Sequence, residues 1–188
     1  MERDEELILI DKIRAGEEGL YKPLVDKYSS KILSIVKGVV RDRSDAEEVA
    51  QDVFVKAYFS LNKFRGDSSF STWLYRIAYN MSISKVRKKN RYINVENINS
   101  FADSTGGDND SNNALEKERR FKTIDALIER LEPLERFVLL SFYNHDKSIK
   151  EIAEITGMSE ANVKVKLHRI KKKMITLVKE ENKEVIYG

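Results

Sequence analysis

Positive charge is concentrated near the carboxyl end of the chain. No acidic residue lies between Glu160 and Glu180, whereas lysine, arginine, asparagine and histidine recur through this segment. Cationic side chains neutralise nucleic-acid phosphates, and amide or guanidinium groups hydrogen-bond to base edges. The segment therefore predicts a helix that binds nucleic acid. Its candidate contacts are Ser159, Asn162, Lys164, Lys166, His168, Arg169 and Lys171.

Two helices separated by a glycine turn must position those residues. Ser148 and Glu151 match a capping box that begins the first helix, Gly157 suits the positive-φ position that ends it, and a serine can cap the second. The apolar positions are Ile149, Ile152 and Ala153 in the first helix and Val163, Leu167, Ile170 and Met174 in the second. This spacing predicts a helix-turn-helix. A solvated basic helix on a small bundle is the competing interpretation.

Another capped helix is predicted in the first half of the chain, from about residue 45 to 61. Ser44 and Glu47 match a capping box. One apolar stripe follows at Ala46, Val49, Ala50, Val53, Ala57 and Leu61. On the other side, Glu48, Gln51 and Asp52 form an acceptor patch that suits arginines of a partner. Ordinary solubility is the alternative, and the lack of a neighbouring histidine argues against metal binding by these acids.

The helix after the loop "FRGDSS" combines aromatic, amide and cationic side chains. Ser69 or Ser71 can cap it, and Trp73 is assigned to the core because a lone tryptophan on an apolar helix side usually fills it. The candidate functional residues here are Phe64, Arg65, Phe70, Tyr75, Arg76 and Asn80, followed by the cations Lys85, Arg87, Lys88, Lys89 and Arg91. A solvated helix end favoured by the helix dipole is the competing interpretation of the cations.

Composition excludes several classes of protein. The 188 residues include no cysteine, which rules out disulfides and thiolate metal sites. The first residues are acidic, and no stretch approaches the roughly 18 apolar residues of a membrane span, so we expect a soluble cytoplasmic protein. Two histidines without a matching carboxylate set argue against an enzyme, and we expect no catalytic residue, cofactor or metal.

The distribution of charge divides the chain into three parts. Residues 1–91 carry 18 basic and 14 acidic groups, residues 92–118 carry 1 and 6, and residues 119–188 carry 15 and 11. The segment 94–113 is rich in Asn, Asp, Ser and Gly and has too few apolar groups to offset its ordering entropy. Helical periodicity dominates elsewhere, with two helices within residues 4–38 and a break at Pro133.

The predicted fold is therefore all-α, with two small helical domains joined by a flexible acidic linker. The first domain covers residues 1–93, the linker 94–115 and the second domain 116–188. The second domain is the helix-turn-helix domain, of a winged-helix-like four-helix type.

Four motifs resemble segments of bacterial RNA polymerase sigma factors of the extracytoplasmic-function (ECF) group. They are "DAEEVAQDVFVKAY", "FSTWLYRIAYN", "LEPLERFVLLSFY" and "KSIKEIAEITGMSEANVKVKLHRIKKKM". The resemblance covers nearly the whole chain, with both domains in the family's order. It implies an initiation factor without enzymatic activity or a small-molecule substrate, which binds core RNA polymerase, directs it to promoters and helps to melt promoter DNA.

The resemblance also implies partners for the candidate residues of the first domain. Glu48, Gln51 and Asp52 would dock on the clamp helices of the polymerase β′ subunit. The loop and the following helix resemble the element that opens the minus-ten region, where Asn80 would read a flipped base. The remaining minus-ten contacts would be Phe64, Phe70 and Tyr75 for stacking, and Arg65, Arg76, Lys85, Arg87, Lys88 and Lys89 for the backbone.

In the second domain, the helix-turn-helix would read the minus-thirty-five element, and the helices before it would grip the β-flap. Arg169 is the better base reader, because lysine cannot make the two-pronged contact with guanine. Residues 161–164 depart from the Gly-Thr-Val-Arg type of entry found in many family members, which leaves the target sequence open.

Two further expectations follow from the resemblance. An anti-sigma factor is an expected partner and could hold the protein at the inner membrane. The linker acids Asp103, Asp108 and Asp110 would lie near the polymerase cleft and mimic nucleic acid.

The alternative to the family assignment is an autonomous helix-turn-helix regulator. Such a regulator would need its own dimer interface, and the sequence has no heptad run to supply one.

Overall fold

The computed structural model describes residues 3–96 and 124–187. The first domain contains α1 (Arg3–Arg14), α2 (Tyr21–Val40), α3 (Arg43–Ser60) and α4 (Phe70–Glu96), with short 3-10 turns at Glu18–Leu20 and Leu61–Lys63. The second domain contains α5, described over residues 124–129, then α6 (Pro133–Tyr143), α7 (Ile149–Thr156) and α8 (Glu160–Tyr187). No strand occurs in these two ranges, and the predicted all-α fold is confirmed.

The core of the first domain lies between α2, α3 and α4. All six residues of the predicted α3 stripe are buried, as the helical spacing requires. The facing side chains are Leu24, Ile32, Ile35, Val36 and Val39 of α2 and Phe70, Leu74 and Ala78 of α4. Each large apolar side chain buried in this way stabilises the fold by about 1.5–3 kcal/mol.

The structure corrects one predicted helix start and selects between two candidates for another. Asp42, not Ser44, caps α3: its backbone is extended, and its carboxylate accepts a hydrogen bond from the Asp45 amide at 2.9 Å. Ser44 already lies inside the helix. At the start of α4, Ser69 rather than Ser71 supplies the cap, because its hydroxyl accepts from the Thr72 amide at 3.0 Å.

The helix-turn-helix has the local structure that the sequence predicts. Ser148 and Glu151 form a reciprocal capping box at the start of α7. Gly157 ends α7 with a φ of 75°, in the left-handed region that favours glycine. Ser159 then accepts a hydrogen bond from the Asn162 amide at 3.2 Å. The buried core of this domain comprises Leu131, Val138, Ile152, Ala153, Val163 and Ile170.

The two domains pack against each other in what we call the closed arrangement. In it α2 contacts α6, and α4 contacts α6 and α7. Phe137 belongs to the buried cluster of the first domain, and its ring lies 4.9 Å from the ring of Tyr79. A Cβ at Gly38 would overlap the Leu140 side chain, so the absence of a side chain there lets α2 and α6 approach.

The predicted linker is described only at its start. Residues 94–96 belong to α4, so the last helix of the first domain extends three residues beyond the predicted boundary. The rest of the predicted linker, including Asp103, Asp108 and Asp110, lies outside the described residues.

Candidate functional site

The predicted acceptor patch lies on the outer side of α3. Glu48, Gln51 and Asp52 are all exposed, opposite the buried stripe. Glu48 also accepts a hydrogen bond from Lys85 at 2.7 Å, so one of its carboxylate oxygens already has a cationic partner. The patch therefore offers polar acceptors to another molecule while Glu48 remains tied to α4.

An apolar groove adjoins this patch, and the sequence analysis missed it. One cavity of about 590 Å³ and another of about 370 Å³ lie between α2 and α3, and both are lined by Val25 and Phe54. Gln51 lines the smaller cavity, and Phe59, which is 78% exposed, lines the larger. The sequence did contain a signal for this groove, because α3 carries apolar residues on a second side, outside the buried stripe.

Tyr21 fixes one wall of the groove. Its hydroxyl donates to the Phe54 carbonyl at 2.8 Å, and its ring contacts Tyr58 with centroids 5.1 Å apart. Burial raises the pKa of Tyr21 still further above neutral pH, and the protonated hydroxyl is the donor of this bond. The groove is thus a firmly built apolar surface, of a kind that receives a helix of a partner.

Two of the predicted stacking residues are buried in this structure, and their predicted contact with a base stays a prediction. Phe64 and Phe70 are only 3% and 2% exposed. Their rings contact each other and the ring of Trp73, with centroids 5.3 to 5.8 Å apart. The aromatic residues of the loop pack inward because the short segment between α3 and α4 has to close the end of the domain core. Trp73 is half-buried in this cluster, in agreement with its assignment to the core.

Arg14 positions the same loop, a role that the sequence analysis did not identify. Its guanidinium donates to the Leu61 carbonyl, with an Nη2–O distance of 2.8 Å, and to the Phe64 carbonyl. Charge-assisted bonds of this kind are stronger than bonds between neutral groups. Arg65, one residue later, is exposed and lies 3.1 Å from the Asp67 carboxylate, so the loop presents both charges to solvent.

Tyr75 lies in the interface between the domains, so its predicted stacking role is blocked in the closed arrangement and stays a prediction for the separated domains. It is 1% exposed, and its hydroxyl lies 3.1 Å from His145 Nδ1, within hydrogen-bond distance. Beside it, Lys147 donates to the Ser71 hydroxyl at 2.8 Å and to Glu151 at 2.9 Å. In the closed arrangement the second domain therefore covers Tyr75, and no base can stack on it.

The remaining minus-ten candidates fall into exposed and paired groups. Lys89 contacts Asp45 and Asp42 at 2.9 and 3.2 Å, and Lys85 contacts Asp45 at 3.1 Å in addition to Glu48. The hydrogen bond from Lys89 is the main cause that lowers the pKa of Asp45. Both lysines thus tie α4 to α3 in this structure. The exposed candidates are Arg65, Arg76, Asn80, Arg87 and Lys88, together with Arg91.

The recognition helix α8 presents most of its predicted contacts to solvent. Asn162, Lys164, His168, Arg169 and Lys171 are exposed, Lys166 is half-buried, and the exposed Ser159 uses its hydroxyl for the cap. Lys173 lies 3.0 Å from Glu135 of α6 and braces α8.

Val165 was not among the predicted contacts, yet it is 49% exposed in the middle of this face. Its position two residues after the buried Val163 was the available signal, because that spacing places it on the outer side of the helix.

Two searches of the described residues bear on other functions. Within 3–96 and 124–187 no group of three or more histidine, cysteine, aspartate or glutamate side chains could hold a metal ion. None of the helices in the same part of the chain combines the length and the apolar character that crossing a membrane requires.

Comparisons with known proteins agree with the two-domain organisation. Residues 24–92 match the family described as Sigma-70 region 2, and residues 121–174 match Sigma-70, region 4. The chain is 32% identical over 173 residues to the ECF RNA polymerase sigma-E factor of Escherichia coli K12, covering 86% of this chain and 88% of that protein. It is 29% identical over 167 residues to the ECF RNA polymerase sigma factor SigW of Bacillus subtilis, covering 85% and 89%.

A solved structure has the same fold. It contains the sigma factor RpoE in complex with the anti-sigma factor NepR from Bartonella quintana. The TM-score is 0.69 at 19% sequence identity, and the match covers 85% of this chain and 96% of that chain.

The first helical domain and the helix-turn-helix domain correspond to the two matched regions. The chain belongs to the ECF group of the sigma-70 family, the sigma factors of bacterial RNA polymerase.

The interface around His145 predicts that the closed arrangement depends on pH. Burial, Lys31 and Lys147 lower the pKa of His145 below its ordinary value of 6.5, and only Asp146 opposes them. Opening restores the ordinary value, so the open form binds the proton more tightly. The closed arrangement should therefore be favoured above about pH 6.5 and lose stability as the pH falls below it.

This dependence can be measured by energy transfer between dyes on Lys56→Cys and Lys172→Cys, two exposed positions in a chain without natural cysteine. Transfer should fall between pH 8 and pH 5.5, and His145→Gln should flatten the curve. His168→Gln, the other histidine, is the matched control and should keep the original slope. If energy transfer in His145→Gln changed with pH as it does in the parent chain, His145 would not be the group that makes the closed arrangement depend on pH.

Proposed function

We propose that four surfaces of this chain divide the work of promoter recognition. The outer side of α3, with Glu48, Gln51 and Asp52, docks together with the adjoining groove on the β′ clamp helices of core polymerase. The exposed side of α4 and its preceding loop engage the minus-ten region, and α8 reads the minus-thirty-five element. The helices before the helix-turn-helix contact the β-flap.

One observation carries the docking proposal. The polar patch on α3 is continuous with the apolar groove through Gln51, which belongs to both. Hydrophobic contact area flanked by hydrogen-bond acceptors suits an amphipathic helix that carries arginine. A face that served only solubility would not need exposed Val55 and Phe59 beside its charges.

Asn80 and Arg76 are the central minus-ten residues of the proposal. Both are exposed on α4, four residues apart, and therefore lie on the same side of the helix. The amide of Asn80 can donate to and accept from the edge of a flipped base, while Arg76 contacts the backbone. Because Phe64 and Phe70 are buried, a stacking surface requires Tyr75, which becomes available only when the domains separate.

We further propose that the protein has no enzymatic activity of its own. The polymerase performs the chemistry, and this chain contributes binding energy that favours melted promoter DNA. Its place of action is the cytoplasm, with core polymerase and DNA. An anti-sigma factor is a proposed partner, since the similar Bartonella protein was solved with one, and such a factor could hold this chain at the inner membrane.

Run-off transcription with core polymerase tests the proposal most simply. The template is the DNA upstream of the gene for this chain, because such factors often drive their own promoters. A discrete transcript should require the protein, and changing Glu48, Gln51 and Asp52 to alanine should reduce it by roughly tenfold or more, as expected for loss of several charged hydrogen bonds. Phe59→Ala should also reduce it.

Glu17→Ala is a suitable control, because this exposed residue lies before the 3-10 turn, outside the proposed surfaces, and should leave the transcript unchanged. If no transcript appears while the purified protein still binds the same DNA specifically, the autonomous helix-turn-helix regulator becomes the better description.

Binding to promoter variants tests the proposed division of labour on α8. Arg169→Ala should weaken binding and relax preference at one base pair, at a cost of about 1–3 kcal/mol. Lys171→Ala should weaken binding to all sequences alike and reduce its salt dependence. Val165→Ala should lose preference for thymine at one position, because its methyl groups can contact the thymine methyl.

Lys179→Ala, exposed further along α8, serves as the control for loss of a single charge. Loss of discrimination in Lys171→Ala, with unchanged discrimination in Arg169→Ala, would contradict these assignments.

A further inference from the structure

A polar cleft lies between the two domains, and two of its lining residues, Lys85 and Lys89, are also predicted minus-ten contacts. Its volume is about 360 Å³. The first domain contributes the ends of α2 and α4, and the second contributes the segment that joins α5 to α6 and the first turn of α6. The charged residues of its lining are Arg41, Lys85, Lys89, Arg130 and Arg136, with Glu129 and Glu132.

Arg136, at the back of this cleft, is buried without the partners that an arginine requires. It is 5% exposed, and its Nε and Nη1 atoms are buried and form no hydrogen bond. Within residues 3–96 and 124–187 no carboxylate forms an ion pair with it. A guanidinium is always charged near neutral pH, so an unpaired buried one is strongly unfavourable. Its environment is therefore incomplete until it receives acceptor oxygens.

The carboxylates of the cleft do not supply those oxygens. Glu129 forms an ion pair with Arg41, and Glu132 is exposed to solvent at the residue before α6. The carboxylate of Glu135 instead accepts from the Glu132 amide at 3.1 Å and pairs with Lys173. Glu129 and Glu132 are close enough to attract the Arg136 guanidinium, but neither forms an ion pair or a hydrogen bond with its buried Nε and Nη1 atoms.

Cations outnumber acids around the cleft. Arg130 is exposed and forms no ion pair in the described part of the chain. Arg41 shares its charge with Glu129, while Lys85 and Lys89 are held by three acids of the α3 start, Asp42, Asp45 and Glu48. Arg130 and Arg136 therefore remain the two cations available to a ligand, with Arg41 at the opposite wall.

We propose that this cleft binds a small multivalent oxyanion of the phosphate class, with its oxygens accepting hydrogen bonds from Arg136. A planar guanidinium presents parallel donors that match two phosphate oxygens, which makes arginine well suited to this role. The volume of the cleft exceeds that of one phosphate group and accommodates a pyrophosphate or a small phosphorylated metabolite.

Binding of such an anion links the two domains. Arg136 and Arg130 belong to the second domain, whereas Arg41, at the opposite wall, belongs to the first. An anion held by both sides is bound only when they are together, so it shifts the equilibrium towards the closed arrangement. Binding itself does not rest on the proposed function, but the consequence does: the anion would keep Tyr75 covered and oppose promoter opening.

Pyrophosphate is the probe for the test, with titration calorimetry on the full chain in the absence of polymerase and DNA. Ionic strength is held constant with sodium chloride. We expect saturable binding at one site, weakened roughly 10- to 100-fold by Arg136→Met, as expected for the loss of charged hydrogen bonds. Lys56→Met, which removes one exposed cation from α3, is the matched control and should bind as the parent does.

Two exposed substitutions keep the test valid if Arg136→Met fails to fold. Arg130→Gln and Arg41→Gln leave the core intact and should each weaken binding several-fold. Energy transfer between the domains should also rise on addition of pyrophosphate, and this rise should be lost in Arg136→Met or, if that variant is unfolded, reduced in Arg130→Gln.

Three results would overturn the proposal. The first is a pyrophosphate effect that sodium chloride of equal ionic strength reproduces. The second is binding that persists in Arg136→Met, or in both exposed variants, but is lost in Arg169→Gln, which would locate the anion on the recognition helix. The third is saturable binding that leaves energy transfer between the domains unchanged. Run-off transcription is a separate assay, so failure of the proposed function would be distinguished from absence of the anion site.

Discussion

The packing of α4 against the second domain is the interaction on which the rest of this structure depends. The same helix contributes Phe70, Leu74 and Ala78 to the core of the first domain. It also carries the exposed Arg76 and Asn80, and it buries Tyr75 against His145. In the proposed function α4 also contacts DNA, and Tyr75 cannot contact a base and the second domain at the same time. Domain separation is therefore a physical requirement for complete minus-ten recognition in the function proposed above.

The polar character of the interface makes separation feasible. Lys147 bridges Ser71 and Glu151, and Tyr75 and His145 lie within hydrogen-bond distance of each other. When the domains separate, such polar groups form hydrogen bonds to water instead. The free energy needed to separate a polar contact is therefore much smaller than that needed to expose an aliphatic contact of equal area. The apolar part of the contact, around Phe137 and Leu140, supplies the stability that keeps the closed arrangement populated.

Much of the fold could be predicted from sequence, because periodicity and caps are local. The α3 stripe, the Ser148 capping box and the Gly157 turn depend on residues within one or two helical turns, and all were confirmed. The α3 cap was misassigned because Asp42 and Ser44 both precede the stripe, and only backbone conformation distinguishes them. The burial of Tyr75, the pairing of Lys85 and Lys89 and the role of Arg14 depend on contacts between distant segments, which spacing along one helix does not reveal.

Small-angle X-ray scattering from the free chain at pH 8 tests the closed arrangement most directly. A compact chain of this length should have a radius of gyration of roughly 16 Å, increased somewhat by the residues between the domains. Gly38→Phe, whose side chain would collide with Leu140, should give a clearly larger value and a two-lobed distance distribution. A free chain that already shows the large value, unchanged by Gly38→Phe, would contradict the account.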